Sequence, residues 1–231
     1  MSKSGFTLLE LTIALSLTAV VVALISGGLM AVLQFDQQFT AMQKNRRELQ
    51  RTMDFMATEM QMSDRLEPCP EIHLPTYSPA SGSQQPQPIM VLTMPASSNL
   101  TQPIVYYVAI PPARSVWAGP LALYRWGPTL QLNGNYSANG AGYSYYNEVV
   151  VDRIVPTSSA EPCGGLYSQS IPLRSVRRGF TICSNPSGGV ARISLQRQAE
   201  QSQQVTALQA VISSRSRSPS SLGKLSNCPA K

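Results

Sequence analysis

The feature that most constrains this chain is an apolar run from Phe6 to Phe35 interrupted by a single carboxylate, Glu10. At about 1.5 Å per residue, a helix of that length measures roughly 45 Å, more than the ~30 Å hydrocarbon layer of a bilayer. A secretory signal peptide is a poor match: its apolar core runs to only about 7–15 residues and a small-residue cleavage site follows. No A-x-A follows this longer run. A plain membrane anchor accounts for the length but not for Glu10, because an ionisable group inside a membrane-length helix is costly and marks function. Nor does it account for the short polar leader, which carries one lysine, Lys3, and ends at Gly5.

The stretch Lys3-Ser4-Gly5-Phe6-Thr7-Leu8-Leu9-Glu10-Leu11 resembles the processing site of type IV prepilins and type II secretion pseudopilins. The resemblance implies a leader of residues 1–5, removed by a prepilin peptidase that cuts after Gly5, and methylation of the new amine on Phe6. It also implies an assembly role for Glu10, which lies about one helical turn from Phe6. Glu10 would neutralise the Phe6 amine of a neighbouring subunit entering a filament, a pairing worth far more in low dielectric than in water. Such a pair would favour one stagger between helices that otherwise slide. Lys3 and the amino terminus would hold the leader in the cytoplasm, following the positive-inside rule. The implied partners are other pilin or pseudopilin subunits, the prepilin peptidase and an inner-membrane assembly platform. The implied location is the bacterial inner membrane, with a single pass and an extracytoplasmic globular domain, and then a surface pilus or a periplasmic pseudopilus.

The first proline is Pro68, so one helix could run from Phe6 to Glu67. It divides into a membrane-spanning or filament-core part, residues 6–35, and an amphipathic continuation, residues 36–67. Gly27-Gly28 is its weak point, since each glycine costs about 1 kcal/mol relative to Ala. In filament-forming pilins such a place would loosen; a close helix contact would explain the pair as well. Phe39, Met42, Leu49, Met53, Met56 and Met60 form the stripe a helix needs to lie on a sheet. Lys44, Arg46, Arg47, Glu48, Arg51, Asp54 and Glu59 are assigned to the opposite, solvated face.

Residues 68–88 read as a connector, with Pro75, Pro79, Pro86 and Pro88 among Ser and Gln. Residues 89–213 read as a β-rich domain, with strands expected at 89–94, 104–110, 121–126, 145–155, 179–184, 190–197 and 205–213. Evenly spaced short strands without intervening helices argue for an antiparallel sheet. The predicted fold is α+β, a long N-terminal helix packed on that sheet in the manner of pilins. The order of elements, with Leu123-Tyr124-Arg125 on a middle strand, is most similar to the larger minor pilins and the J-type minor pseudopilins. Residues 131–144 and 156–172 are the long loops, expected to be surface variation in such proteins, and 214–231 is a basic, Ser-rich tail.

The four cysteines, Cys69, Cys163, Cys183 and Cys228, all lie beyond the apolar run and lack zinc-ribbon or CxxC spacing. In a segment exported across a membrane they read as two disulfides. Three pairings are possible, of which Cys163–Cys183 with Cys69–Cys228 is favoured. Nothing points to catalysis, a cofactor or a metal. His73 is the only histidine and sits in a Pro-flanked loop, and no P-loop, GxSxG, HExxH or GxGxxG occurs. A membrane-anchored periplasmic hydrolase built on His73 is the enzymatic alternative. Charge is more informative: from Arg174 to Lys231 there are nine Lys or Arg and one acid, Glu200. Arg174, Arg177 and Arg178 could attract nucleic acid or an anionic polysaccharide, which is the binding alternative.

Overall fold

The computed structural model describes residues 8–67, 88–131, 134–139, 142–155, 169–171, 179–184, 190–198 and 205–213. The chain comprises two compact units, Met1–Gln43 and Lys44–Lys231. Helix α1, Leu8–Met62, begins in the first unit. There its apolar side chains, from Leu8 to Phe35, are exposed, and the helix is long and apolar enough to cross a membrane. The hydroxyls of Thr12, Ser16 and Thr18 donate to the carbonyls of Leu9, Ile13 and Ala14 at 2.8–2.9 Å. These side-chain hydroxyls are thereby satisfied within the helix itself. The helix is unbroken at Gly27-Gly28, and neither glycine has a neighbour within 4 Å of where a Cβ would lie.

In the second unit α1 becomes amphipathic. Leu49, Met53, Met56 and Met60 are buried, as the stripe requires, whereas Phe39 and Met42 are 52% and 43% exposed. The buried face therefore starts later than expected, at Asn45. The helix also ends earlier than Glu67, with the Ser63 N–H bonding the Glu59 carbonyl at 3.0 Å and its hydroxyl bonding the Met60 carbonyl at 2.7 Å. Residues Arg65–Glu67 form strand β1 instead, paired with β2, Pro88–Thr93. Pairing with β2 satisfies their backbone and buries Leu66, which is 1% exposed.

The strands beyond are β3 (Ile104–Ala109), β4 (Leu121–Gly127), β5 (Ala138–Asn139), β6 (Gly142–Tyr143), β7 (Tyr146–Ile154), β8 (Gln169–Ile171), β9 (Phe180–Ser184), β10 (Val190–Gln198) and β11 (Val205–Ser213). The seven long ones match the sequence expectation to within one residue at each end. Among the described residues they form one antiparallel sheet in the order β1-β2-β3-β4-β7-β10-β9-β8, with β11 along the other edge of β10; β5 and β6 form a separate hairpin. The architecture is α+β, a long N-terminal helix packed on an antiparallel sheet.

Alternation along β3 and β4 divides the core. Ile104, Tyr106, Leu121 and Leu123 join the cluster that contains Leu49, Met53, Met56 and Met60 of α1. Val105, Tyr107, Tyr124 and Trp126 form a second cluster with Tyr145 and Val149. Since successive strand residues point to opposite faces, both faces of these strands are buried. That is why their sequences, IVYYVA and LALYRWG, are nearly unbroken apolar runs. In the second cluster, Tyr107 and Tyr124 stack with ring centroids 5.2 Å apart.

Met56, fully buried against the sheet, should cost about 2–5 kcal/mol when replaced by alanine, whereas Phe39→Ala should change stability by no more than about 0.5 kcal/mol. Denaturant unfolding of the full chain in detergent separates the two; equal losses would contradict a buried face that starts at Asn45.

Candidate functional site

Two parts of α1 carry chemistry beyond apolar packing. In the second unit, the buried face of the helix includes three polar residues, Asn45, Thr52 and Glu59, spaced seven apart. Seven residues are close to two turns, so the three lie in one line along the helix. Each meets the sheet. Asn45 Nδ2 donates to the Arg197 carbonyl at 3.3 Å and to the Thr206 hydroxyl at 3.0 Å, while its Oδ1 accepts from Arg197 Nη1 at 2.7 Å. Thr52 makes a long contact, 3.5 Å, with the Val150 carbonyl. Glu59, completely buried, forms the centre of the third set.

Arg125 of β4, also completely buried, holds the Glu59 carboxylate with two groups: Nε lies 3.1 and 2.9 Å from its oxygens and Nη2 lies 2.6 Å from Oε1. The Tyr106 hydroxyl donates to Oε2, and the Tyr136 hydroxyl donates to Oε1 at 3.2 Å. The remaining guanidinium capacity goes to the Pro128 carbonyl, 2.7 Å from Nη2, and to Glu148, 3.4 Å from Nη1. Phe55 presents its ring 5.6 Å from the guanidinium carbon. Each nitrogen and oxygen of the pair thus has a partner, as a buried charge pair demands. Gly127 makes room for it: a Cβ there would lie 3.0–3.2 Å from the guanidinium atoms.

The electrostatics follow from that geometry. Burial alone would lower the Arg125 pKa, but the hydrogen bonds and charge of Glu59 outweigh it and hold the guanidinium more firmly protonated than usual. Burial, reinforced by the Glu59 charge, pushes the Tyr106 and Tyr136 hydroxyls above the ordinary tyrosine value. The sequence reading placed Glu59 on the solvated face, and the structure corrects it. A carboxylate is welcome on the buried face once Arg125 is opposite. Glu48, at the rim with its side chain 34% exposed, pairs with Arg197. The loop at 131–144 is likewise more than surface variation, because it sends Tyr136 to Glu59, and Tyr143 to the Ser98 carbonyl at 3.0 Å.

In the first unit, Glu10 lies in the first turn of α1, exposed, and is the only charged residue between Leu8 and Phe35. Comparison with known proteins bears on this end of the chain: the family model for the prokaryotic N-terminal methylation motif matches residues 1–26. The chain carries the type IV pilin and pseudopilin signature. No curated protein and no solved structure gives a significant match. The pilin motif implies processing by a prepilin peptidase and assembly with other pilin subunits, and with the apolar helix it is consistent with membrane anchoring.

Other residues singled out from the sequence are placed less completely. Gly5 and Phe6 lie outside the described residues, as do His73, Cys69, Cys163, Cys228, Arg174, Arg177 and Arg178. Cys183, on β9 and 2% exposed, is disulfide-bonded, and its partner is outside the described residues. Arg125 entered the sequence reading only as part of a strand. The seven-residue spacing of Asn45, Thr52 and Glu59 within an apolar stripe was the signal that could have revealed the buried polar line.

Two outcomes test this site. Tyrosines titrate near pH 10 when unfolded, and Tyr106 and Tyr136 do so at higher pH in the fold. The folded state therefore holds more protons above about pH 10, and the stability they contribute, complete below that pH, is lost as pH rises. Tyr106→Phe and Tyr136→Phe should each make the alkaline loss shallower, by up to about 1.4 kcal/mol per pH unit; unchanged slopes would contradict the assignment. Gly127→Ala should destabilise by about 1–3 kcal/mol by crowding the guanidinium, read from the urea midpoint.

Proposed function

We propose that this protein is a minor pilin or pseudopilin, cleaved after Gly5, methylated on Phe6 and built into a type IV pilus or a type II secretion pseudopilus. The observation that carries this reading is the coincidence of the methylation motif at residues 1–26 with a helix that exposes an apolar surface bearing one carboxylate. In this reading the segment from Phe6 to Met30 packs in the filament core and Glu10 sets register by meeting a neighbour's Phe6 amine. The amino terminus faces the cytoplasm, the globular unit is extracytoplasmic, and an inner-membrane platform drives assembly. A globular unit beginning at Lys44 is bulky to repeat along a shaft, which favours low copy number or a tip position. The role is structural rather than catalytic.

The chain must also explain the excess of nine cations over one acid between Arg174 and Lys231. That excess favours, as the second reading, a filament subunit that captures DNA or an anionic polysaccharide through Arg174, Arg177 and Arg178. Its mark would be retention that falls steeply with salt and weakens when the three are changed to glutamine.

Intact-mass measurement of the membrane form should show loss of residues 1–5 and one added methyl group on Phe6; an uncleaved chain in cells with active prepilin peptidase would contradict the proposal. Glu10→Ala should leave cleavage unchanged and remove the protein from sheared filaments. Normal incorporation of that variant would overturn the role given to Glu10.

A further inference from the structure

Cys183 lies on β9 and is disulfide-bonded. Its neighbour Ile182 belongs to the core cluster that contains Leu49 and Met53 of α1. Successive strand residues point to opposite faces, so Cys183 points to the face of the sheet away from α1. It is buried there, 2% exposed. Cys69, Cys163 and Cys228 are the candidates for its partner, and the sequence alone admits all three. Strand register separates them, because a disulfide joins Cα atoms no more than about 6.8 Å apart.

The sheet holds Cys69 away from Cys183. β11 takes the whole of one edge of β10, from Val190 to Gln198, so β7 and β9 share the other edge: Ile154 faces Arg197 and Phe180 faces Leu195. β9 thus continues the column of β7, four strand spacings from β1, or about 19 Å. Along the strands, Glu67 is level with Val91, Val105, Trp126 and Asn147. From Trp126 it is five residues to Leu121, which faces Ile154, and from Arg197 five more to Arg192, which faces Cys183. Ten residues of strand span about 33 Å. Even after allowance for twist, the gap between Glu67 and Cys183 is roughly 30 Å or more. Cys69 is two residues beyond Glu67, a reach of about 7 Å, so it is not the partner.

Cys163 starts much closer. It is six residues before Gln169 of β8, and in that strand Ser170 is directly opposite Cys183. Six residues supply up to about 20 Å of chain, and Gly164-Gly165, directly after Cys163, suits a turn back toward β9. Pairing Cys163 with Cys69 instead would set eight residues pulled straight, about 26 Å, across much the same gap, since Gln169 faces Ser184 beside Cys183. That also removes Cys183–Cys228, which would leave Cys69 with Cys163. Cys228 is fifteen residues past Ser213 of β11, about 50 Å of chain, enough to reach Cys69. We propose that Cys183 is bonded to Cys163 and Cys69 to Cys228. Each bond forms by exchange: two thiols take over the disulfide of an oxidant protein, which leaves with both its sulfurs as thiols. The second bond closes every strand from β2 to β11 into one covalent ring and ties the tail bearing Arg215, Arg217 and Lys224 to the chain just past α1. The inference rests on the reading of the globular unit as extracytoplasmic, where disulfides persist.

Trypsin cuts between all four cysteines, so each pairing yields different linked peptides. The full chain is taken from membranes of cells with active prepilin peptidase, its thiols are alkylated before lysis, and the unreduced digest is analysed by mass spectrometry. The expected species are peptide 154–174 joined to 179–192, and 66–114 joined to 225–231. Cys228→Ser should free the Cys69 thiol, leave the first linked pair intact and lower the urea midpoint. Peptide 179–192 joined to 66–114 or to 225–231, or a free thiol at any of the four positions in the unsubstituted chain, overturns the pairing. Intact mass reads removal of residues 1–5 independently. A chain that is cleaved but differently paired overturns this inference and leaves the filament reading standing, whereas an uncleaved chain with four free thiols overturns both.

Discussion

The pair formed by Glu59 of α1 and Arg125 of β4 is the interaction on which the globular unit depends. Both side chains are fully removed from water, and together they bring in Tyr106, Tyr136, Phe55 and the Pro128 carbonyl. The desolvation cost of such a pair can match its attraction, so its net contribution to stability is small. What it supplies is discrimination. An apolar stripe of Met and Leu can slide along a sheet by a turn at modest cost, since methionine adapts to many packings. A carboxylate that must meet one guanidinium cannot. Asn45 with Arg197 at the other end of the line fixes the same register independently.

That register matters for the work a filament subunit does. On the proposal that this is a filament subunit, assembly acts on the N-terminal part of α1, and the globular unit is held to the C-terminal part of the same helix. A polar line pinned at both ends resists displacement along the helix axis better than apolar packing alone. The Arg197 set then extends through Asp152 to the Ala118 N–H between β3 and β4, so one set of hydrogen bonds runs from α1 into the sheet's connections.

Much of this was legible in the sequence, and the exceptions share one cause. Gly5, Phe6 and Glu10 marked the processing signature because a lone carboxylate in an apolar run has few innocent explanations. The seven long strands were visible because β-branched and aromatic runs sit between Pro and Gly clusters. Glu59 and Tyr136 were misplaced because residue type alone assigned charge to solvent and a Gly/Asn-rich stretch to the surface. Each is placed by a partner distant in sequence: Arg125 for Glu59, with Tyr136 in turn drawn to Glu59. Strands β1 and β8 were missed for the same reason, since three residues become a strand only when a neighbouring edge is present.

The most direct test of this account is a double-mutant cycle on Glu59→Met and Arg125→Met, measured by urea unfolding of the full chain. Each single change leaves a buried charge unpaired and should cost about 3–5 kcal/mol, while the double change removes both charges. The account therefore expects the double variant to be more stable than the two losses summed, with a coupling of at least about 2 kcal/mol. Losses that add within about 0.5 kcal/mol would show that Glu59 and Arg125 act independently, and the pair would then not be what sets the helix on the sheet.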